Sequence, residues 1–78
     1  MKLTYDPRYN VAYIHLKEKT AEVETVHISD ELNIDLAPDG TVYGIELLNA
    51  NEQLTPSHNG KLVVVNEEHG QTTEIALQ

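Results

Sequence analysis

Two carboxylate residues, Asp35 and Glu46, stand where apolar and polar residues alternate most clearly. Asp39-Gly40 separates the two alternating runs, which is typical of a hairpin with a type I′ turn, because that turn needs positive φ at both central residues. With a two-residue loop, or with a four-residue loop of the same parity, Glu46 faces Asn33 and Asp35 faces Gly44, all on one side of the hairpin. Two carboxylates on a rigid strand pair could bind a cation or act as acid and base, and Gly44 would let a ligand approach the backbone. A solvated polar sheet face is the commoner interpretation of this pattern.

The four histidines lack the spacing of a metal site, since no H-x-H or H-E-x-x-H run occurs. If the first strands pair around a turn at Lys19, His15 and His27 lie about two residue pairs apart, ~7–8 Å or more, too far to share a metal. The absence of cysteine excludes disulfides and thiolate sites. No G-x-S-x-G, P-loop or G-x-G-x-x-G run occurs. The absence of these motifs therefore predicts no catalytic residues, no metal and no cofactor, and it favours a non-enzymatic protein without deciding the question.

The chain is strongly acidic, with 5 basic against 13 acidic residues and a net charge of −8. Nucleic-acid phosphates and anionic membrane surfaces repel such a chain, so we expect neither as a partner. Acidity favours a basic protein partner, although it also serves solubility. No run reaches the ~18 apolar residues of a membrane span, and no apolar signal segment follows Met1. We therefore expect a cytoplasmic protein.

The length of 78 residues predicts a single domain over residues 1–78. A chain of this size buries only roughly 60–65% of its unfolded surface, and its core rarely supplies more than about 3–5 kcal/mol. Because the chain cannot form disulfides, self-association is the simplest way to add to the stability of this small core. The sequence therefore predicts a homodimer.

Turn signals recur at short intervals between segments rich in Val, Ile, Thr and Tyr. This rhythm predicts a mainly β fold, an antiparallel meander of about six short strands with tight turns, with one short helical turn near residues 49–55. The central hairpin is expected to pair Leu36 with Tyr43, Ile34 with Ile45 and Leu32 with Leu47, which places six apolar side chains on one face. A change of parity within residues 21–29 predicts a β-bulge near Glu24-Thr25.

The last hairpin is predicted from residues 61–66 and 71–77, with Leu62 opposite Ile75. Residues 62–65 are apolar on both faces, so this strand needs cover on both sides or becomes an aggregation-prone edge. Tyrosine is enriched in interface anchors, and three tyrosines cluster between Tyr5 and Tyr13. We therefore predict an interface built from the following residues: Leu62, Val63, Val64, Val65 and Tyr13.

Several motifs resemble those of one family of small prokaryotic proteins, catalogued as a domain of unknown function, family 2283. The motifs are Tyr5-Asp6-Pro7, Ala12-Tyr13-Ile14-His15-Leu16, Asp39-Gly40 and Gly44-Ile45-Glu46-Leu47-Leu48-Asn49-Ala50, within residues 1–50. The resemblance implies a β-meander and a prokaryotic cytoplasmic origin. The chain departs from the family pattern at Asn10, where such sequences often carry an acidic residue. It also departs over residues 56–78, where another hairpin is predicted, whereas such sequences often close with a short helical tail after the Asn-Ala step. It implies no reaction. Genes of this type are sometimes found beside small basic toxin-like proteins, which implies an antitoxin-like role.

The sequence therefore supports two hypotheses about function. The first is a non-enzymatic, homodimeric interaction module that neutralises a basic protein partner. The alternative is a small cation-binding or hydrolytic domain that uses Asp35 and Glu46.

Overall fold

A computed structural model of the protein describes residues 1–18, 22–55 and 57–77. Within these residues, seven strands, one α-helix and one 3₁₀ turn follow in chain order: β1 Lys2–Asp6, β2 Val11–His15, β3 Glu24–Ser29, β4 Leu32–Leu36, β5 Val42–Leu48, α1 Ala50–Leu54, the 3₁₀ turn His58–Gly60, β6 Lys61–Asn66 and β7 Gln71–Ala76. The prediction of a mainly antiparallel β fold with one helical turn after Asn49 is confirmed.

Strands β1 to β5 form one antiparallel sheet in the order β1-β2-β5-β4-β3, while β6 and β7 form a separate two-stranded sheet. The predicted pairing of β2 with β3 is wrong, because β2 lies between β1 and β5. A short turn joins β1 to β2, and the Asp6 carboxylate accepts hydrogen bonds from the backbone N–H groups of Arg8 and Tyr9 there. Closing so short a loop costs little entropy. The turn predicted at Lys19 lies outside the described residues.

The β4–β5 hairpin keeps its predicted register away from the turn, with Leu32 opposite Leu47 and Ile34 opposite Ile45. The third predicted pair is wrong, because Leu36 faces Val42. The loop has three residues rather than two, since Ala37 and Thr41 close it with an N–H···O=C bond. Gly40 supplies the positive φ of 89° that a three-residue loop with a G1 bulge requires. Because the loop has an odd number of residues, the pairs next to it are shifted by one residue from the predicted register. A bulge beside Asp35/Leu36 restores the predicted register from Asp35 onwards.

Strand β3 carries a bulge between His27 and Ser29, where Ile28 is the additional residue. The bulge is therefore three residues beyond its predicted place near Glu24-Thr25. The parity of Val26 pairs it with Ile34 on the apolar side, whereas Val23 lies before the first residue of the strand. The change of parity within residues 21–29 thus reflects where the strand begins as well as the bulge.

Cross-strand pairing aligns the residues of β1 to β5 into rows, and directly paired residues share one face of the sheet. We call the following row the apolar row: Leu3, Ile14, Ile45, Ile34 and Val26. The neighbouring row on the same face is Tyr5, Ala12, Leu47, Leu32 and Ser29. These two rows together are the apolar sheet face. It carries the two confirmed pairs of the central hairpin, Leu32 with Leu47 and Ile34 with Ile45, and its reverse carries polar residues.

Burial is shallow throughout the described part of the chain. The buried apolar residues there are Ala12, Ala37, Tyr43 and Ala50. Every member of the apolar row is only half-buried. No large side chain among the described residues is fully enclosed. The apolar sheet face therefore lacks the second layer that normally covers such a face.

Helix α1 closes the end of the sheet where β5 ends. Asn49 precedes the helix in the left-handed region, with φ 53° and ψ 45°. Asn10, at the turn between β1 and β2, also has positive φ, 59°, and its side chain accepts a hydrogen bond from the Asn51 N–H at 2.7 Å. Helix α1 is the short helical turn that was predicted near residues 49–55.

The β6–β7 hairpin has the predicted register, with Leu62 opposite Ile75 and Val64 opposite Thr73. Val64, Val65 and Ile75 remain about half exposed, so this hairpin also lacks cover. Among residues 1–18, 22–55 and 57–77, no helix has the length and apolar character that a membrane crossing requires.

Candidate functional site on the polar sheet face

Two polar rows cross the reverse of the five-stranded sheet, the side that we call the polar sheet face. The first row is Thr4, Tyr13, Glu46, Asn33 and His27, and the second is Lys2, His15, Gly44, Asp35 and Thr25. The structure thus brings the four predicted site residues together, with Asn33 opposite Glu46 and Asp35 opposite Gly44. Strand alternation positions them, because β4 and β5 place every second side chain on this face.

Asp35 is the buried polar residue of this face, with 9% of its surface exposed. The Tyr13 hydroxyl donates a hydrogen bond to Asp35 Oδ2 at 2.5 Å, and the Thr25 hydroxyl donates to Oδ1 at 2.6 Å. A buried carboxylate needs such donors, because burial without them costs several kcal/mol. The side chains of β2, β3 and β4 therefore meet at this one carboxylate.

Glu46 belongs to a second chain of hydrogen bonds in the neighbouring row. Asn33 Nδ2 donates to Glu46 Oε1 at 2.9 Å, and Asn33 Oδ1 lies 2.9 Å from His27 Nδ1. Each of the two carboxylates therefore already accepts hydrogen bonds from neighbouring side chains. The arrangement joins the strands of the sheet through their side chains as well as through their backbones.

Gly44 provides the space that lets Tyr13 reach Asp35. A Cβ added at Gly44 would lie inside the van der Waals radii of the Tyr13 ring carbons and hydroxyl. The sequence predicted that something approaches the backbone closely at Gly44. In the structure that position is occupied by the ring of Tyr13, from the neighbouring strand β2.

The histidines of this face take part in side-chain contacts rather than in a shared centre. The His15 ring packs against Tyr13 with 4.4 Å between centroids, and its Nε2 lies 3.4 Å from the Thr4 hydroxyl. His15 and His27 are on β2 and β3, with β5 and β4 between them. In the part of the chain that the structure describes, no group of three or more His, Cys, Asp or Glu residues is arranged to hold a metal ion.

The predicted interface residues lie in two different sheets. Leu62, Val63, Val64 and Val65 are all in β6 of the two-stranded sheet. Tyr13 is on the polar face of the five-stranded sheet, where its hydroxyl is bound to Asp35.

Thr25 and His27 complete the polar rows on β3, and the sequence did not indicate that they lie on this face. The missing information was the position of β3 beside β4, because the Thr25-Val26-His27 alternation already separates polar from apolar side chains. The sequence also did not indicate the cluster of Asn10 and Asn49, whose side chains share a hydrogen bond of 3.1 Å. The residue type was the available signal, because asparagine is enriched in left-handed backbone positions.

One family matches the chain, over the part that forms this sheet. The family described as "Protein of unknown function (DUF2283)" matches residues 2–51. The matched segment contains β1 to β5 and the start of α1, and it ends before the β6–β7 hairpin. No curated protein and no solved structure matches the chain significantly. Since the match covers well over half of the 78 residues, the chain belongs to the DUF2283 family of proteins of unknown function.

Proposed function

We propose that this protein is a non-enzymatic interaction module that works as a homodimer and binds a basic protein partner in an antitoxin-like role. The observation that carries the proposal is the absence of a closed core in the described residues, where three alanines and Tyr43 are the buried apolar residues. A sheet with one apolar face must bury that face against another layer. A second chain supplies that layer.

Sedimentation velocity of the full chain over a wide concentration range tests the homodimer. We expect a species of twice the chain mass of 8.7 kDa, dissociating at low concentration. A strict monomer at the highest concentrations would contradict the proposal.

The basic partner is supported by the charge distribution along one edge of the sheet. Strand β3 is an edge strand, and an edge presents unpaired backbone groups that can accept a further strand. Residues 22–31 contain four acidic residues and no lysine or arginine, and all four are exposed. A positively charged extended segment would therefore complement this edge in both hydrogen bonding and charge.

The partner is tested in two steps, capture and direct binding. Tagged full-length protein is used to capture proteins from prokaryotic cells, and a small, strongly basic candidate is then purified and titrated by calorimetry. We expect affinity that falls steeply as salt rises, since charge attraction is screened. Glu22→Lys should weaken binding at least about tenfold, whereas the matched control Glu68→Lys on the β6–β7 turn should have little effect. Salt-independent binding, or equal effects of the two variants, would contradict this part of the proposal.

The alternative, a cation-binding or hydrolytic site at Asp35 and Glu46, has less support. Asp35 accepts hydrogen bonds from Tyr13 and Thr25, and Glu46 accepts one from Asn33, so a cation would have to displace these donors. Calorimetric titration with Mg²⁺, Ca²⁺ and Mn²⁺ tests it. Binding heat that is lost in Glu46→Ala would favour the alternative, and no heat with any of the three ions would discard it.

A further inference from the structure

We infer that the second copy of this chain binds on the apolar sheet face, so that two five-stranded sheets pack against each other across a twofold axis. This inference rests on the proposed homodimer and adds the surface that forms it. The apolar row supplies one aliphatic side chain from every strand, and Ile45 lies at its centre on the middle strand β5. All five side chains of this row are half-buried. Each of them therefore still has apolar area to bury.

The exposed surface of the chain is larger than that of a compact monomer of the same mass. The chain exposes 5758 Å², whereas a folded protein of 8.7 kDa exposes about 4,700 Å². The difference of roughly 1,000 Å² is shared between the apolar sheet face and the separate β6–β7 hairpin, and each partner of a standard interface buries ~800 Å². The radius of gyration, 14.0 Å, likewise exceeds the value of about 11.5 Å for a compact chain of this length.

The two uncovered apolar surfaces differ in size, and this difference favours the sheet face. Five strands spaced about 4.8 Å apart, each about five residues long, give a footprint of about 400 Å². The β6–β7 hairpin has only two strands, and its footprint is about 200 Å² by the same geometry. The exposed Val64, Val65 and Ile75 therefore lie on a narrower surface than the apolar sheet face.

Charge also favours the apolar sheet face as the contact between two copies. Each copy carries a net charge of −8, so two copies repel unless their carboxylates are kept apart. Neither row of this face contains a charged residue. The same residues meet from both copies in a twofold contact, and sheets packed in this way lie about 10 Å apart with strands within about 30° of each other.

Isotope-filtered NOE spectroscopy on a mixture of labelled and unlabelled wild-type protein tests the surface without any mutation. We expect intermolecular contacts from the methyl groups of Ile14, Ile34 and Ile45. Intermolecular contacts only from Val64 and Ile75 would overturn this inference while leaving the homodimer intact. A wild-type protein that is monomeric by sedimentation would instead sink the proposed homodimer itself.

A pair of matched charge insertions provides the second test. Ile45→Lys places an unpaired charge at the centre of the proposed contact and should raise the dimer dissociation constant at least about 100-fold. Val65→Lys adds the same charge on the hairpin, where the valine is 52% exposed, and should change it less than about threefold. Equal effects, or a larger effect of Val65→Lys, would overturn the inference. If Ile45→Lys fails to fold by circular dichroism, the NOE experiment decides.

Discussion

Tyr13 and Asp35 meet across a strand that lies between their own. Tyr13 is on β2 and Asp35 is on β4, and β5 separates them. The Tyr13 side chain crosses β5 at Gly44, whose backbone its ring covers. An aromatic ring over a strand glycine restores the packing that the missing side chain would have supplied. Gly44 thus makes possible the hydrogen bond that satisfies the buried carboxylate.

The first prediction concerns this contact between Gly44 and Tyr13. Gly44→Ala should lower the free energy of unfolding by about 1–3 kcal/mol, because the new methyl group and the ring compete for one space. In a Tyr13→Ala background the same change should cost much less, since the ring is gone. Urea denaturation of the four proteins of this double-mutant cycle measures the coupling. Equal costs in the two backgrounds would show that the ring is not what Gly44 accommodates.

The fold makes the carboxyl group of Asp39 more acidic. Hydrogen bonds from the Thr41 backbone N–H and hydroxyl, with a smaller effect of the Lys17 charge, hold the pKa of Asp39 below its usual value of 3.8. A folded-state pKa below the unfolded value means that the carboxylate stabilises the fold above pH 3.8. That contribution is lost as pH falls through the folded-state pKa.

The second prediction follows from this sign. The wild type should be more stable than Asp39→Asn above pH 3.8, and the two stabilities should converge as the pH falls below the folded-state pKa. Denaturation at several pH values measures the difference. The carboxyl ¹³C signal of Asp39 should titrate below 3.8 in the wild type and move upward in Thr41→Val. A stability difference that is constant with pH would refute the assignment.

At the scale of elements, the entry into α1 depends on two asparagines in left-handed conformations. The Asn10 backbone carbonyl accepts a hydrogen bond from the Ala50 N–H at 3.0 Å, and Asn49 Nδ2 donates to Glu31 at 3.0 Å. Gln53 completes the junction by donating to the backbone carbonyls of Glu31 and Leu48. A helix of only five residues has little stability of its own. These contacts therefore hold α1 against the end of the sheet.

The third prediction separates conformation from hydrogen bonding at Asn49. Asn49→Ala should cost about 1–2 kcal/mol for the left-handed backbone, in addition to the lost side-chain hydrogen bonds. Asn49→Gly should cost less than Asn49→Ala, because glycine adopts positive φ freely but loses the same hydrogen bonds. Thermal denaturation compares the two variants, with Asn51→Ala as a control within α1. Equal destabilisation by alanine and glycine would show that backbone conformation is not the cause.

The pairing of the strands was only partly predictable from the sequence. The alternation around Ile34 and Ile45 determined which residues share a face, since a shift of one residue would expose every apolar side chain. It could not reveal the three-residue loop at residues 38–40, because the bulge beyond it restores the same register. Nor could it place β2 beside β5, since that pairing joins segments distant in sequence and has no local turn to signal it.

In the candidate site, the residues of one hairpin were predictable from the sequence, whereas their partners from other strands were not. Asp35, Glu46, Asn33 and Gly44 belong to one hairpin, and local alternation was sufficient to place them on one face. Tyr13 and Thr25, which donate hydrogen bonds to Asp35, come from strands β2 and β3. Local alternation of apolar and polar residues could not position these two strands beside the hairpin. The sequence therefore indicated the open space above Gly44, but it did not indicate that the Tyr13 ring fills this space.

At the scale of the molecule, the two faces of the sheet differ in whether residues of the same chain cover or satisfy them. The polar sheet face satisfies its buried carboxylate with side chains of the same chain. The apolar sheet face has no corresponding partner layer in the described residues. The family match covers the strands that form both faces. Association through the apolar sheet face would therefore involve the part of the chain that the family shares.

The fourth prediction tests this link between association and stability. If two copies fold and associate together, each tenfold rise in protein concentration should add about 1.4 kcal per mole of dimer to the free energy of unfolding. The melting temperature of the wild type, followed by circular dichroism, should therefore rise steadily with concentration. Ile45→Lys should melt below the wild type at every concentration, because its dimer is weaker, whereas Val65→Lys should behave like the wild type. A wild-type melting temperature independent of concentration would mean that the exposed apolar rows are tolerated by the monomer and stabilise no assembly.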